Sequence, residues 1–194
     1  MRALAFLAAL SLSVPLAARA DDAPRVVIET SLGDITLQLD HVRAPLTVDN
    51  FLRYVNEGHF DGTAVYRVVP GFVIQAGSWD ADVHARPAHD PIALEANNGL
   101  SNVRGSIAMA RGDDPASATA EFFIDLVDNP ALDHQATDGG NSTGYAVFGK
   151  VIFGMDVVDK IAAVPLGDHG PMPGAAPIDP IVIRKVSLLP ATQP

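Results

Sequence analysis

Cysteine is absent from the sequence of 194 residues, and its absence removes several classes of chemistry. Without a thiol, the chain has no disulfide bond, no cysteine nucleophile and no thiolate ligand for a metal. The sequence has no Gly-x-Ser-x-Gly elbow of the serine hydrolase type, because its one match to that spacing, GNSTG (140–144), lies in a predicted loop and not between a strand and a helix. Two acid–histidine pairs, Asp133-His134 and Asp168-His169, are neighbours in sequence only, whereas the members of a catalytic triad must converge in space. The sequence therefore argues against a hydrolase with a nucleophilic side chain.

Basic residues are scarce, with 13 lysines and arginines against 23 aspartates and glutamates and a formal net charge of −10. An acidic surface neither releases counterions from nucleic acid nor is attracted to an anionic membrane. No glycine-rich loop opens a predicted helix, so no phosphate or dinucleotide site is indicated. We predict that the protein binds no nucleic acid and needs no cofactor.

Long apolar runs are confined to the first twenty residues, MRALAFLAALSLSVPLAARA. One arginine near the start, a short apolar stretch and the final Ala18-Arg19-Ala20 are typical of a secretory signal peptide with its cleavage site. The apolar stretch is short for a transmembrane helix, although an uncleaved interfacial anchor is an alternative. We predict a signal peptide at 1–20, a single domain at 21–194, a periplasmic or secreted location, and no membrane contact after cleavage.

One loop holds several potential metal ligands, because Asp82, His84, His89 and Asp90 lie within nine residues. Their spacing matches no strong ligand pattern such as His-Glu-x-x-His on a helix. We interpret the loop as a solvated polar segment, and the sequence predicts no metal site.

The pattern of apolar residues predicts a mainly β fold with two helices. Alternation predicts a hairpin over 26–39, a last strand over 181–189, and strands near 64–69, 72–76, 105–110, 121–126 and 145–151. Helical periodicity predicts helices over 46–57 and 155–163, the first with Val48, Phe51, Leu52 and Val55 on one face. The segments 77–104 and 127–144 are predicted loops. We therefore predict a closed antiparallel barrel in which the first and last strands pair, and a monomer, since no long exposed edge is indicated.

The stretch YRVVPGFVIQAG, residues 66–77, predicts two core strands joined by a turn, yet it contains Arg67 and Gln75. An arginine at a barrel edge, with its stem packed and its head in water, is one interpretation. The alternative is a groove with one fixed cation, one amide and apolar walls, for which the candidates are Phe72, Phe122, Phe123 and Leu132. Such a groove has no obvious use in acid–base or nucleophilic chemistry. It suits a reaction that redistributes electrons and cleaves no bond.

Several further motifs follow this stretch along the chain, and together with it they resemble one known family. They are GSIAMAR (105–111), AEFFI (120–124), ALD (131–133) and YAVFGKVIFGMDVVDKI (145–161). Together with residues 66–77 they resemble the cyclophilin-type peptidyl-prolyl cis-trans isomerases, in particular the exported bacterial branch, from about Arg25 to Leu189. The resemblance implies an eight-stranded antiparallel barrel capped by two helices. It also implies an isomerase that accelerates X–Pro rotation and assists the folding of exported proteins.

The resemblance further implies which residues form the site and what they bind. Arg67 falls at the catalytic arginine, and Phe72, Gln75 and Phe123 are the other implied catalytic residues. The implied substrate-binding residues are Val73, Ala110, Arg111, Glu121, Leu132 and Tyr145. The implied partners are unfolded or extended polypeptides that contain proline.

The chain departs from the family pattern at several positions. Glu121 stands where many relatives have Gln, and its carboxylate could pair with Arg67 or Arg111. Val73 is smaller than the usual Met, Tyr145 replaces a frequent His, and residues 135–144 resemble an insertion. These departures leave open a binding module, in which the groove captures proline-containing segments and isomerisation is incidental.

Overall fold

The computed structural model describes residues 23–135, 143–168 and 170–190, and within them eight strands form one antiparallel sheet. The predicted signal peptide and most of the predicted insertion lie outside the described residues. In chain order the elements are β1 (Arg25–Thr30), β2 (Gly33–Leu39), α1 (Pro45–Asn56), β3 (Thr63–Val69), β4 (Val73–Asp80), β5 (Ser106–Met109), β6 (Phe122–Asp125), β7 (Val147–Phe153), α2 (Met155–Ala162), β8 (Leu166–Gly167), β9 (Ala176–Pro177) and β10 (Ile183–Leu188). Strands β8 and β9 pair as a separate short ribbon.

The large sheet has the order β10-β1-β2-β7-β5-β6-β4-β3 and curls into a nearly closed barrel. The predicted pairing of the first and last strands is confirmed, since Val26 lies opposite Leu188. The seam lies elsewhere, between β3 and the residues that precede β10. There Ala64 bridges Val182, and the Val65 amide donates to the Ile181 carbonyl at 2.9 Å. This seam leaves little unpaired strand edge in the part of the barrel that the structure describes.

Helix α1 lies within one residue of its predicted bounds and packs its apolar face into the barrel. Leu52 is only partly buried, whereas Tyr54 is fully buried because its hydroxyl accepts a hydrogen bond from the His89 amide at 2.8 Å. The helix has Pro45 at its start but no side-chain cap from Ala44. Instead the Glu95 carboxylate accepts the amides of Leu46 and Thr47 at 3.1 and 2.8 Å.

Two predicted strand boundaries differ from the structure. Strand β4 continues to Asp80, where a loop was predicted, because the chain turns back and Trp79 bridges Ala85. Strand β7 was predicted near 145–151 and runs from Val147 to Phe153. It extends past 151 because its last residues pair with β2.

None of the helices in the described ranges is both long and apolar enough to span a membrane.

Candidate active site

The two faces of the sheet bury separate apolar clusters. The inner cluster fills the barrel and includes Phe51, Phe122 and Phe148. The outer cluster lies on the opposite face and consists of Val73, Ala108, Phe123 and Val147, with partly buried Phe72, Leu100, Ala110, Leu132 and Tyr145 packed against them. Six of the ten predicted site residues therefore meet in the outer cluster. Phe122, which the sequence suggested as a wall of the groove, lies inside the barrel instead, because alternation along β6 turns it away from Phe123.

The strand register aligns the polar and apolar site residues in one row. Arg67 on β3 lies opposite Gln75 on β4, Gln75 lies opposite Phe123 on β6, and Phe123 lies opposite Ala108 on β5. Directly opposite residues of neighbouring antiparallel strands project from the same face and are close enough to interact. The arrangement brings a half-buried guanidinium and a buried amide to the edge of the outer cluster.

Gln75 connects Arg67 to two residues beside it. The Arg67 Nη1 donates to Gln75 Oε1 at 2.9 Å, and the Gln75 Nε2 donates to Glu121 Oε2 at 2.8 Å. The Gln75 Nε2 also donates to the Tyr66 hydroxyl, which in turn donates to Glu121 Oε2 at 2.7 Å. Because the carboxylate accepts only, the amide nitrogen must face Glu121 and the amide oxygen must face Arg67. Glu121 and Tyr66 thus fix the orientation of the Gln75 amide.

A bulge in β3 explains how Tyr66 and Arg67, which are adjacent in sequence, both contact the Gln75 amide. The pairing passes from Val65 opposite Ala76 to Arg67 opposite Gln75, so Tyr66 is an extra residue on its strand. Such a bulge turns the extra side chain out of strict alternation. Tyr66 was missed by the sequence analysis, because regular alternation places it on the face opposite Arg67. The one available signal was its hydroxyl, which needs a hydrogen-bond partner when buried.

The electrostatic surroundings keep the Tyr66 hydroxyl protonated. Burial raises the pKa of Tyr66, and the adjacent Glu121 carboxylate raises it further. A phenol with a raised pKa remains a donor throughout the physiological range. The hydrogen bond from Tyr66 to Glu121 is therefore a fixed part of the site at neutral pH.

The expected ion pair between Glu121 and an arginine is not formed among the described residues. The carboxylate is engaged by Tyr66 and Gln75, and Arg67 reaches it only through Gln75. Arg111 turns away, and its Nε donates to the Gly144 carbonyl at 2.9 Å. Its guanidinium also lies over the Tyr145 ring, 4.9 Å from the centroid, in a cation–π contact.

Two backbone turns carry the remaining walls of the outer cluster. Leu132 ends a short 3₁₀ turn, Pro130–Leu132, and its carbonyl accepts the Tyr145 amide at 3.0 Å. The Tyr145 ring meets Phe123 edge to face, with centroids 5.4 Å apart. Gly144 precedes Tyr145 with φ +94, and a Cβ there would lie 2.7 Å from the Asp133 backbone. Glycine is therefore required for the close approach that places Tyr145 beside Leu132.

The predicted site residues lie outside the main cavity found among the described residues. A cavity of about 770 Å³ lies near the start of the described chain, with Leu39, Val42, Leu100 and Lys150 among its lining residues. None of the ten predicted site residues lines it. Two members of the outer cluster, Leu100 and Val147, also line this cavity.

The potential metal ligands divide between two places. Asp82 and His84 lie with Asp80 on an exposed turn, where their ligand atoms are within 4.8 Å of one another. His89 belongs to a different surface cluster, in which its Nε2 lies 2.6 Å from the Glu57 carboxylate. The four residues named from the sequence therefore do not form one site.

Comparison with known proteins agrees with the geometry. Residues 25–188 match the family described as cyclophilin type peptidyl-prolyl cis-trans isomerase/CLD. The chain is 45% identical over 164 residues to peptidyl-prolyl cis-trans isomerase A of Dickeya dadantii, covering 84% of each chain. It is 43% identical over 163 residues to peptidyl-prolyl cis-trans isomerase B of Escherichia coli, covering 84% of this chain and 98% of that one.

The fold has solved counterparts as well. A cyclophilin-type peptidyl-prolyl cis-trans isomerase of Cryptosporidium parvum superposes with a TM-score of 0.70 at 24% identity, covering 86% of this chain and 99% of that one. This likeness confirms the predicted fold, an antiparallel eight-stranded barrel with two helices. The chain belongs to the cyclophilin-type peptidyl-prolyl cis-trans isomerases.

Proposed function

We propose that the outer cluster binds the proline of an extended polypeptide and that Arg67 stabilises the twisted X–Pro bond. The observation behind this proposal is the row of Arg67, Gln75 and Phe123 across three neighbouring strands. It sets a fixed cation beside an apolar surface large enough for a proline ring. Phe72, Ala110, Leu132 and Tyr145 are partly buried in that surface, so each can still contact a substrate.

The chemistry requires charge stabilisation and no proton transfer. Rotation about a peptide bond has a barrier of ~18–20 kcal/mol, because the twisted amide loses its resonance. In the twisted state the prolyl nitrogen regains a lone pair that the planar ground state does not present. A guanidinium aimed at that lone pair binds the transition state more tightly than the substrate, which is the condition for catalysis.

Arg67 is restrained for this role by Gln75. The amide oxygen of Gln75 is the hydrogen-bond partner of the Arg67 guanidinium among the described residues, and it occupies Nη1. The other N–H donors of the planar guanidinium remain for the substrate. Because Glu121 and Tyr66 fix the amide, the guanidinium does not have to be ordered when the substrate arrives, and less entropy is lost on binding.

A matched pair of arginine variants tests the proposal. We expect Arg67→Ala to lower kcat/KM for a proline-containing peptide by about 10²–10³-fold, the usual loss when one preorganised transition-state donor is removed. Arg184→Ala is the control, because Arg184 is an exposed arginine on β10. Equal activity of Arg67→Ala and the wild type in an isomerisation assay would refute the assignment of Arg67.

We further propose that the protein acts outside the cytoplasm, as a monomer, on exported polypeptides during their folding. The leader pattern of residues 1–20 supports export, and the acidic balance of the chain suits a protein partner rather than nucleic acid. Cell fractionation with N-terminal sequencing tests this part. A mature protein that begins at Asp21 in the periplasm or medium is expected, and an uncleaved cytoplasmic protein would contradict it.

A further inference from the structure

A buried carboxyl group lies directly behind the outer cluster. Asp125 ends β6, is fully buried, and lies opposite Val73, which belongs to the outer cluster. Its Oδ1 accepts a hydrogen bond from the Asn129 side-chain Nδ2 at 2.7 Å. A carboxylate without contact to solvent is costly unless it is paired and hydrogen-bonded, or it takes up a proton.

Asn129 connects the two turns that form opposite walls of the site. Its side-chain Nδ2 also donates to the Phe72 carbonyl, at 3.1 Å. Its own carbonyl accepts the Leu132 amide at 2.9 Å. One residue, held by Asp125, therefore sets the position of the Phe72 turn relative to the Leu132 turn.

Two buried acceptors behind these walls have no donor among the described residues. Asp125 Oδ2 and Asn102 Oδ1 are both buried and have no hydrogen-bond partner among the described residues. Asn102 belongs to the same network, because its carbonyl accepts the Asn129 amide at 2.7 Å and its Nδ2 donates to Asp133 at 2.8 Å. Both orphan atoms are acceptors when Asp125 is ionised, whereas a proton on Asp125 converts Oδ2 into a donor.

We propose that Asp125 is a positioning residue for the isomerase site, which acts as the neutral acid and holds the Phe72 and Leu132 walls together through Asn129. This inference rests on the proposed assignment of the outer cluster as the proline site. Neutral Asp125 leaves Oδ1 free to accept from Asn129 and turns one of the two unpartnered acceptors into a donor. Ionised Asp125 is a buried charge in a region of like charge, and the walls move apart as it draws in solvent.

The charges that face Asp125 favour its neutral form. Burial raises the pKa of Asp125 to about 7, the Asn129 hydrogen bond opposes that rise, and the carboxylates of Asp133 and Asp128 add to it. Arg104, a cation on the loop before β5, is bound to the Leu126 carbonyl and to Asp159. The neighbours on β4 and on the turn before it are Val73 and Phe72, which do not titrate. Asp125 is therefore neutral below about pH 7 and loses its proton as the pH rises through that value.

The pH dependence of substrate binding tests this inference. The substrate is a blocked peptide with one proline and no titratable group, and KM and kcat are measured separately from pH 6 to pH 8. For the wild type we expect KM to rise by up to about tenfold over this range, following the loss of neutral Asp125. Asp125→Asn keeps an acceptor for Asn129 and gains a permanent donor, so its KM should stay at the wild-type pH 6 value throughout. Asp125→Ala should have a raised KM at every pH.

The outcomes separate this inference from the proposal on which it rests. If Asp125→Asn retains the wild-type pH profile, or if folded Asp125→Ala has the wild-type KM, Asp125 does not position the site. Should Asp125→Ala fail to fold, the pH profile of Asp125→Asn decides alone. Full activity of Arg67→Ala would instead refute the proposed role of Arg67, whereas the pH profile of Asp125→Asn would still report whether Asp125 positions the apolar walls.

Discussion

The inner and outer faces of β4, β5 and β6 differ in use although the same strands build both. Towards the barrel, Ile74, Ile107 and Phe122 join a closed core of apolar side chains. Towards the outside, the residues next to them form a smaller cluster that stays partly open and has Arg67 and Gln75 at its edge. One face therefore gives stability and the other gives a preorganised surface for binding. Because successive side chains of a strand point to opposite faces, adjacent residues serve these two purposes.

Substitutions of the adjacent residues Phe122 and Phe123 test this difference between the two faces most sharply. They are equally buried, at 3% and 4% exposure, but Phe122 packs on Phe51 and Phe60 and Phe123 packs on Tyr145. We expect Phe122→Ala to lower the free energy of unfolding by about 3–5 kcal/mol, as is typical of a core aromatic. Phe123→Ala should cost less stability and should reduce kcat/KM far more in the folded protein. Urea unfolding and the isomerisation assay measure both; equal losses for the two variants would contradict the division of the faces.

Substitutions of Glu121 test whether the outer face depends on a fixed orientation of the Gln75 amide. Glu121→Ala frees the Gln75 amide to turn, so Arg67 loses its fixed partner. We expect kcat/KM to fall by about 5–10-fold, the equivalent of one hydrogen bond of roughly 1 kcal/mol.

Glu121→Gln is the matched control, because its side-chain oxygen still accepts from Tyr66 and from Gln75. It should retain most of the activity. Equal losses of activity in Glu121→Ala and Glu121→Gln would show that the negative charge itself matters and not the orientation of the amide.

The smallest expected effect concerns a residue that belongs to neither face. Glu95→Ala removes the acceptor for the first amides of α1, which costs about 1 kcal/mol for a lost helix cap. Activity at moderate temperature should not change, since α1 packs on the inner cluster. The thermal midpoint of Glu95→Ala checks this, with Glu95→Gln as the variant that keeps an acceptor. A loss of activity without a loss of stability would contradict the separation of the two regions.

Much of the scaffold could be predicted from local patterns. Alternation located the hairpin of β1 and β2, and helical periodicity located α1 and α2 to within one residue at their starts. The motifs around Arg67 and Phe123 identified the residues that the strand register brings together. These features depend on neighbours in sequence or on a family pattern, and both are visible in one chain.

What could not be predicted depends on contacts between distant segments. The bulge that turns Tyr66 towards Gln75 leaves no local signature, because it arises from the register between two strands. Glu95 caps a helix that begins 49 residues earlier, counted from Leu46. Asp125 resembles a polar residue at a strand end, and only the packed Asn129 turn shows that it is buried.

The central claim is that Arg67 acts in the transition state while the apolar cluster binds the substrate. Exchange NMR on a proline-containing peptide, with catalytic amounts of wild type or Arg67→Ala, reports the cis–trans interconversion rate, and titration of the same peptide reports its affinity. We predict that Arg67→Ala binds the peptide within a few-fold of the wild type and accelerates interconversion about 10²–10³-fold less. An undiminished interconversion rate, or a rate that falls only in proportion to lost binding, would contradict the account.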